Sequence, residues 1–241
     1  MRRHLAATAI LWAALTAVGF WAAVRADVLP SAAAREAVII DDAFRLLMLL
    51  GVPVFTFVLA VLLYSLARFR VRGEPQQDGP PLFGRGAVPW IWLLVTSALA
   101  VYVIFNPGLR GLAELRAHPT ADLVVRVEGS RWLWKFSYPQ HGVTAREVVL
   151  PVNRRVRFDV TATDVLHSFW IPAFRVKIDA VPGMVTHVLV TPTATGSFED
   201  NFHLRLQCAE LCGLGHHLMR SPVRVVEPAE FDAWVAGLTP P

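Results

Sequence analysis

Val156-Arg157-Phe158-Asp159-Val160-Thr161 alternates apolar and polar side chains without a break. Successive side chains of a strand point to opposite faces, so this spacing predicts a strand with one face in a core and the other in water. Around it, 123–128, 132–138, 147–152, 185–191 and 223–226 read as further strands, separated by Pro, Gly, Asn and His-Gly turn signals. Short strands with no long helix between them predict a mainly β, antiparallel sandwich or barrel. A terminal amphipathic helix is predicted over residues 228–238, with Glu230 and Asp232 in its first turns, where the helix dipole favours acids.

N-terminal to this region the chain changes character. Hydrophobic residues make up 54% of the 241, and the mean hydropathy of +0.45 is too apolar for an ordinary soluble domain. The excess lies in 5–24, 46–67 and 87–105, each long enough to cross ~30 Å of hydrocarbon and free of charge. Residues 117–241 carry 12 Lys+Arg and 12 Asp+Glu, so the surplus behind the net charge of +4 sits near the apolar runs. The basic pI is therefore a matter of membrane topology, and nucleic acid is not an expected partner. Arg68, Arg70, Arg72 and Arg85, against Glu74 and Asp78, place the loop between the second and third runs in the cytoplasm. The expected organisation is a signal peptide or extra transmembrane helix over 1–26, a two-helix membrane hairpin over 40–116, and an extracytoplasmic domain over 117–241. Val24-Arg25-Ala26 resembles a cleavage site, and a retained helix fits the same topology.

Inside the last domain, 208–219 reads Cys-Ala-Glu-Leu-Cys-Gly-Leu-Gly-His-His-Leu-Met and holds the only two cysteines of the chain. Two thiolates, an imidazole and a thioether are soft and borderline ligands, which suit copper better than magnesium, calcium or manganese. Four-residue steps from Cys208 to Cys212 to His216 also fit one face of a helix with a buried thiol pair. A Cys208–Cys212 disulfide is a further reading for an extracytoplasmic segment. Gly-Leu-Gly in the middle favours a loop wrapped around something. Upstream, Asp164-Val165-Leu166-His167-Ser168-Phe169-Trp170-Ile171-Pro172 places His167 in an apolar loop. A blue-copper site takes one Cys, two His and a weak axial Met; the second cysteine here allows two bridging thiolates and two ions.

Taken with the two membrane runs, the pattern Cys-x-Glu-x-Cys-Gly-x-x-His-x-x-Met and the upstream Val-Leu-His-Ser-Phe-Trp-Ile-Pro resemble subunit II of cytochrome c oxidase. The resemblance covers residues from about 40 to 230. It implies a cupredoxin-like domain carrying a binuclear copper A centre, with His167, Cys208, Cys212, His216 and Met219 as side-chain ligands. Glu210 is implied to ligate copper through its carbonyl and to reach a magnesium ion at the border with subunit I through its carboxylate. Trp132-Leu133-Trp134-Lys135-Phe136-Ser137-Tyr138 resembles the family's aromatic run, which makes Trp132 the residue through which electrons arrive. Asp179 matches a family position near the copper, and reads equally well as a turn acid before Pro182-Gly183. His217, His203, His187, His141, His118 and His4 match no ligand spacing.

The implied activity is that of a proton-translocating cytochrome c oxidase in the cell membrane. The chain takes electrons from a cytochrome c-type donor and passes them to haem in subunit I, where oxygen is reduced to water. Subunit I, subunit III, the donor and the membrane are the expected partners. A nitric-oxide reductase subunit with the same copper centre, and a membrane-tethered copper-delivery protein, are the alternatives. Two departures stand out. Phe83-Gly84-Arg85-Gly86-Ala87-Val88-Pro89-Trp90 lacks the acid usual in this family, leaving Glu74 as a weak substitute for feeding a proton channel. The aromatic run is followed by Pro139-Gln140-His141-Gly142 rather than by carboxylates, so strong electrostatic steering of a basic donor is not expected.

Overall fold

Along β5 (Val156–Ala162) buried and half-buried residues alternate, with Val156, Phe158, Val160 and Ala162 turned inward. The structure, a computed structural model, describes residues 2–70, 73, 86–117 and 120–238. The other strands are β1 (Leu123–Ser130), β2 (Leu133–Tyr138), β3 (Val143–Ala145), β4 (Val148–Pro151), β6 (His167–Ile171), β7 (Val176–Ala180), β8 (Thr186–Val190), β9 (Arg205–Cys208) and β10 (Arg220–Val226). They form two five-stranded sheets, ordered β3-β2-β1-β5-β8 and β4-β10-β9-β6-β7. Their inner faces meet through Val125, Val127, Trp134, Phe136, Phe158, Phe169 and Leu206, all buried. The expected mainly β sandwich is present.

Two ladders depart from antiparallel pairing. β1 runs parallel to β5, with Leu123 opposite Val156, and β4 runs parallel to β10, with Val148 opposite Val223. Parallel neighbours need a crossing connection. Between β1 and β5 the chain supplies one by leaving the first sheet for β4. The sheets are also tied by a buried hydroxyl: Tyr138 Oη donates to the carbonyl of Val149 at 3.1 Å and accepts the Val149 N–H at 3.0 Å. Burial pushes the Tyr138 hydroxyl well above its ordinary pKa. Helix α5 (Pro228–Leu238) lies against this residue, with the Trp234 ring 5.2 Å from that of Tyr138.

Residues 164–172, expected as a loop, contain a strand. β6 is buried along nearly its whole length, Ser168 included, so it shows no alternation to read. A strand covered on both faces carries no period-two signal. β7 and β9 do alternate, but over only five and four residues, and β3 has three, so shortness rather than cover hides them.

By compactness the chain forms two units, Met1–Val28 with Asp42–Glu114, and Leu29–Asp41 with Leu115–Pro241. The second unit thus includes the segment before α2 (Arg35–Arg68) and the first turns of that helix. Ala33, Ala34 and Ala37 are buried in the β core. Two ion pairs accompany them. Arg155 reaches Glu36 at 3.2 Å, and Glu36 also accepts the Thr191 N–H at 2.7 Å. Arg175 grips Asp41 through two bonds of 2.7 and 2.9 Å. All four side chains are nearly excluded from water.

In the first unit, α1 (Arg2–Arg25) packs on the rest of α2. A side chain at Gly19 would come within 2.7 Å of Val52, and Thr16 and Thr56 share a hydroxyl bond of 2.7 Å. α3 (Ala87–Val103) is apolar around its circumference and buries none of its residues, and the short α4 (Arg110–Arg116) follows it. Arg72, Glu74, Asp78, Phe83, Gly84, Arg85 and His118 lie outside the described residues.

Candidate metal centre

His167 opens β6 and Cys208 closes β9, and these strands are neighbours with Phe169 opposite Cys208. Because inward residues repeat every second position, His167 and Phe169 share a face, and the imidazole arrives beside the thiol. Gly129 on β1 makes room for it: a side chain there would meet the His167 ring at 3.3 Å and Trp134 at 3.0 Å. His167 is fully buried.

The segment 208–219 is a loop, as Gly-Leu-Gly suggests, with one 3-10 turn at His216–Leu218. Its ends are closed by the Cys208 N–H, which donates to the Met219 carbonyl at 2.9 Å. Within it, the Met219 N–H donates to His216 at 3.2 Å and the His216 N–H to Gly213 at 3.1 Å. Backbone bonds, not helix periodicity, therefore aim the side chains.

The two thiols are free and buried, with their sulfurs 3.8 Å apart. That is far beyond a disulfide bond of about 2.05 Å. His167 Nδ1 lies 3.9 Å from the Cys208 sulfur, and His216 Nδ1 lies 3.6 Å from that of Cys212. Met219, also buried, brings its thioether to 3.8 Å from Cys212. The Glu210 carbonyl stands 3.2 Å from the Cys208 sulfur. The ligand atoms of His167, Cys208 and Cys212 all fall within 4.8 Å of one another.

This donor set fits copper. Two cysteines and two histidines alone would also suit one zinc ion in a closed tetrahedron. Here a thioether and a carbonyl join them, giving six donors in all, more than one tetrahedral ion takes. A thioether is moreover a soft donor that favours copper. The sulfur spacing lets an ion at ~2.3 Å from each subtend close to a tetrahedral angle.

Burial shapes the charge state of the metal-free site. Burial pushes the Cys212 thiol up to about 11, and the neighbouring Cys208 pushes in the same direction. Asp164, to which sequence reasoning gave no role, accepts from His167 Nε2 at 2.9 Å and from the backbone N–H groups of Arg131 and Val165 at 2.8 and 2.7 Å. Burial works to raise its pKa, but these bonds outweigh it and hold the carboxyl below the usual range. With Nε2 engaged, the Nδ1 of His167 is left facing the thiol. The signal was in the sequence, three residues before His167.

The remaining sequence candidates separate. Trp132 sits at the tip of the β1–β2 hairpin, 40% exposed, and its indole N–H donates to the Cys212 carbonyl at 3.3 Å. Trp134 and Phe136 point into the core. The half-buried Glu210 carboxylate belongs to no cluster of three or more His, Cys, Asp or Glu ligand atoms among the described residues. Asp179 is exposed in β7, opposite Ser168, and is not a turn residue. His217, beside His216, is exposed.

Residues 140–226 match the family profile of the cytochrome c oxidase subunit II periplasmic domain. Cytochrome c oxidase subunit 2 of a Synechocystis species is 29% identical over 280 residues, covering 97% of this chain and 82% of that protein. A Rickettsia bellii protein named "Probable cytochrome c oxidase subunit 2" is 30% identical over 213 residues, covering 79% and 76%. Among solved structures, the periplasmic domain of subunit II from Bradyrhizobium japonicum is 36% identical, with a TM-score of 0.46, over 50% of this chain and 95% of that one. The matched region follows helices long and apolar enough to cross a membrane. The protein is thus membrane-anchored, with its β domain on the periplasmic side. Since subunit 2 relatives align over most of both chains, and the profile spans the strands and loop that gather the thiols, the chain belongs to the cytochrome c oxidase subunit II family.

Proposed function

We propose that this chain receives electrons for a terminal oxidase, from a cytochrome c-type donor, and relays them toward haem in subunit I, where oxygen is reduced to water and protons are pumped. The observation that carries this reading is the pair of buried free thiols 3.8 Å apart, each with an imidazole Nδ1 within 3.9 Å. Cys208 and Cys212 would hold two copper ions between them, with His167 and His216 at opposite ends and Met219 and the Glu210 carbonyl as further donors. Copper held there would supply a one-electron carrier.

The protein's part is to keep those donors still. His167 is locked by Asp164 and by the packing of Trp134, and the loop is closed at its base by the Cys208–Met219 backbone bond. Little rearrangement is then needed when charge changes. Trp132 connects the site to the surface, since its ring is partly exposed while its N–H bonds to the residue that bears one thiol. The buried thioether of Met219 tunes the potential as a weak donor. Glu210 would hold a magnesium ion at the border with subunit I through its carboxylate.

The reading is tested in membranes that carry the assembled complex. Oxygen consumption driven by a reduced c-type cytochrome should disappear in Cys212→Ser, while haem content of the complex is retained. Persistence of that activity without copper in the chain would overturn it.

A further inference from the structure

We propose that Gly215 is the seat of the Trp132 ring, and hence a positioning residue for electron uptake. This rests on the reading of Trp132 given above. Gly215 lies immediately before His216, in the turn of the copper loop, and is buried. Its backbone, at φ −89° and ψ 9°, lies in the bridge region that non-glycine residues occupy at the third position of type I turns. The chain therefore does not require glycine there for conformational reasons. What excludes a side chain is the indole. A Cβ at 215 would stand 2.3 Å from Cδ2, 2.6 Å from Cε3 and 2.7 Å from Cγ of Trp132, closer than carbon atoms approach.

Gly213 differs in kind. Its φ of +116° demands glycine whatever the surroundings, and a Cβ there would touch the same ring at an ordinary 3.4 Å. The indole thus lies on the loop at three places: its N–H on the Cys212 carbonyl, its Cζ2–Nε1 edge beside Gly213, and its Cδ2 over Gly215. Of these, only the contact at 215 has no room to spare. A methyl group at 215 lifts the ring from the loop and breaks the bond to Cys212. Electron transfer through the ring falls with separation, so lifting the ring and losing its bond to Cys212 slows uptake from the cytochrome.

The test uses the full chain in its assembled complex, with Gly215→Ala, Trp132→Ala and the double variant. Three quantities are measured: the copper spectrum, the reduction rate with a reduced c-type cytochrome, and the rate with a small inorganic reductant that needs no docking surface. Gly215→Ala should keep the copper spectrum and reduce normally with the small reductant, while its rate with the cytochrome falls several-fold. In the double variant the added alanine should cost nothing beyond Trp132→Ala. An unchanged cytochrome rate in Gly215→Ala, or losses that add in the double variant, would overturn the proposal. If Gly215→Ala fails to load copper, the double variant decides. Loading restored once the ring is removed supports the clash, and loading still absent refutes it. If Trp132→Ala itself has no effect on the cytochrome rate, the reading of Trp132 falls and the seat with it; if Trp132→Ala is slow and Gly215→Ala is not, the seat alone falls.

Discussion

Asp164 Oδ1 and His167 Nε2 are 2.9 Å apart, three residues from each other in sequence and at the inner edge of the thiol pair. The carboxylate fixes which nitrogen of the imidazole is free, and so aims Nδ1 at Cys208. Partners of this kind typically contribute ten- to a hundred-fold to metal affinity. Asp164→Asn, which keeps the shape and removes the charge, should weaken copper binding by roughly that factor and alter the potential of the site. A copper competition titration that gave the unaltered affinity would show that Asp164 serves only the backbone of Arg131 and Val165.

Copper uptake should release protons. In the metal-free protein the Cys212 thiol sits at about 11, raised first by burial and then by Cys208, so it is protonated at neutral pH. A metal ligand must be the thiolate. Affinity should therefore tighten as pH rises through the neutral range, with the Cys212 proton released as copper loads. Calorimetry in two buffers of different ionisation heat counts the protons released, and a count of zero would exclude thiol ligation.

The buried pair of Glu36 and Arg155 predicts a stability effect 119 residues away in sequence. Removing one member of such a pair strands the other charge out of water. Glu36→Ala should destabilise the β domain by about 3 kcal/mol, seen as a lowered melting temperature by near-ultraviolet circular dichroism. A fragment beginning at residue 117 should be weaker still, since it also loses Ala33, Ala34 and Ala37 from the core. Equal stability of fragment and full chain would contradict this account of residues 29–41.

Donor association should depend weakly on salt. Trp132 is flanked by exposed Leu133, and the loop it lies on exposes Leu214 by 93%. With 12 basic and 12 acidic residues beyond 116, the contact has little charge to screen, the Debye length being ~8 Å at physiological salt. The second-order reduction rate should change less than about ten-fold between low and physiological salt. A larger fall would reveal a local acidic patch.

What could be read from the sequence depended on cover and distance. β1, β5 and α5 announce themselves because each is half-exposed, so burial alternates along it with its own period. β6 does not, because both its faces are covered. The thiols, His216 and Met219 were legible together, since all four lie within twelve residues and their spacing reports the loop directly. Asp164 stood in view without a role, because only the turn into β6 shows that its carboxylate meets His167. The attachment of 29–41 to the β domain had no local signal. Alanines at 33, 34 and 37 look like linker, and only the long-range partners Arg155, Arg175 and Thr191 give Glu36 and Asp41 their meaning.

Whether Cys208 and Cys212 hold two copper ions or one is decided by electron paramagnetic resonance with metal analysis on the chain in its membrane. The account predicts two coppers per chain and a seven-line hyperfine pattern from one electron shared between two nuclei. It predicts loss of that pattern in Cys208→Ser and Cys212→Ser, and its retention with a shifted potential in Met219→Leu. One copper per chain with a four-line spectrum, or a seven-line spectrum that survives Cys212→Ser, would contradict it.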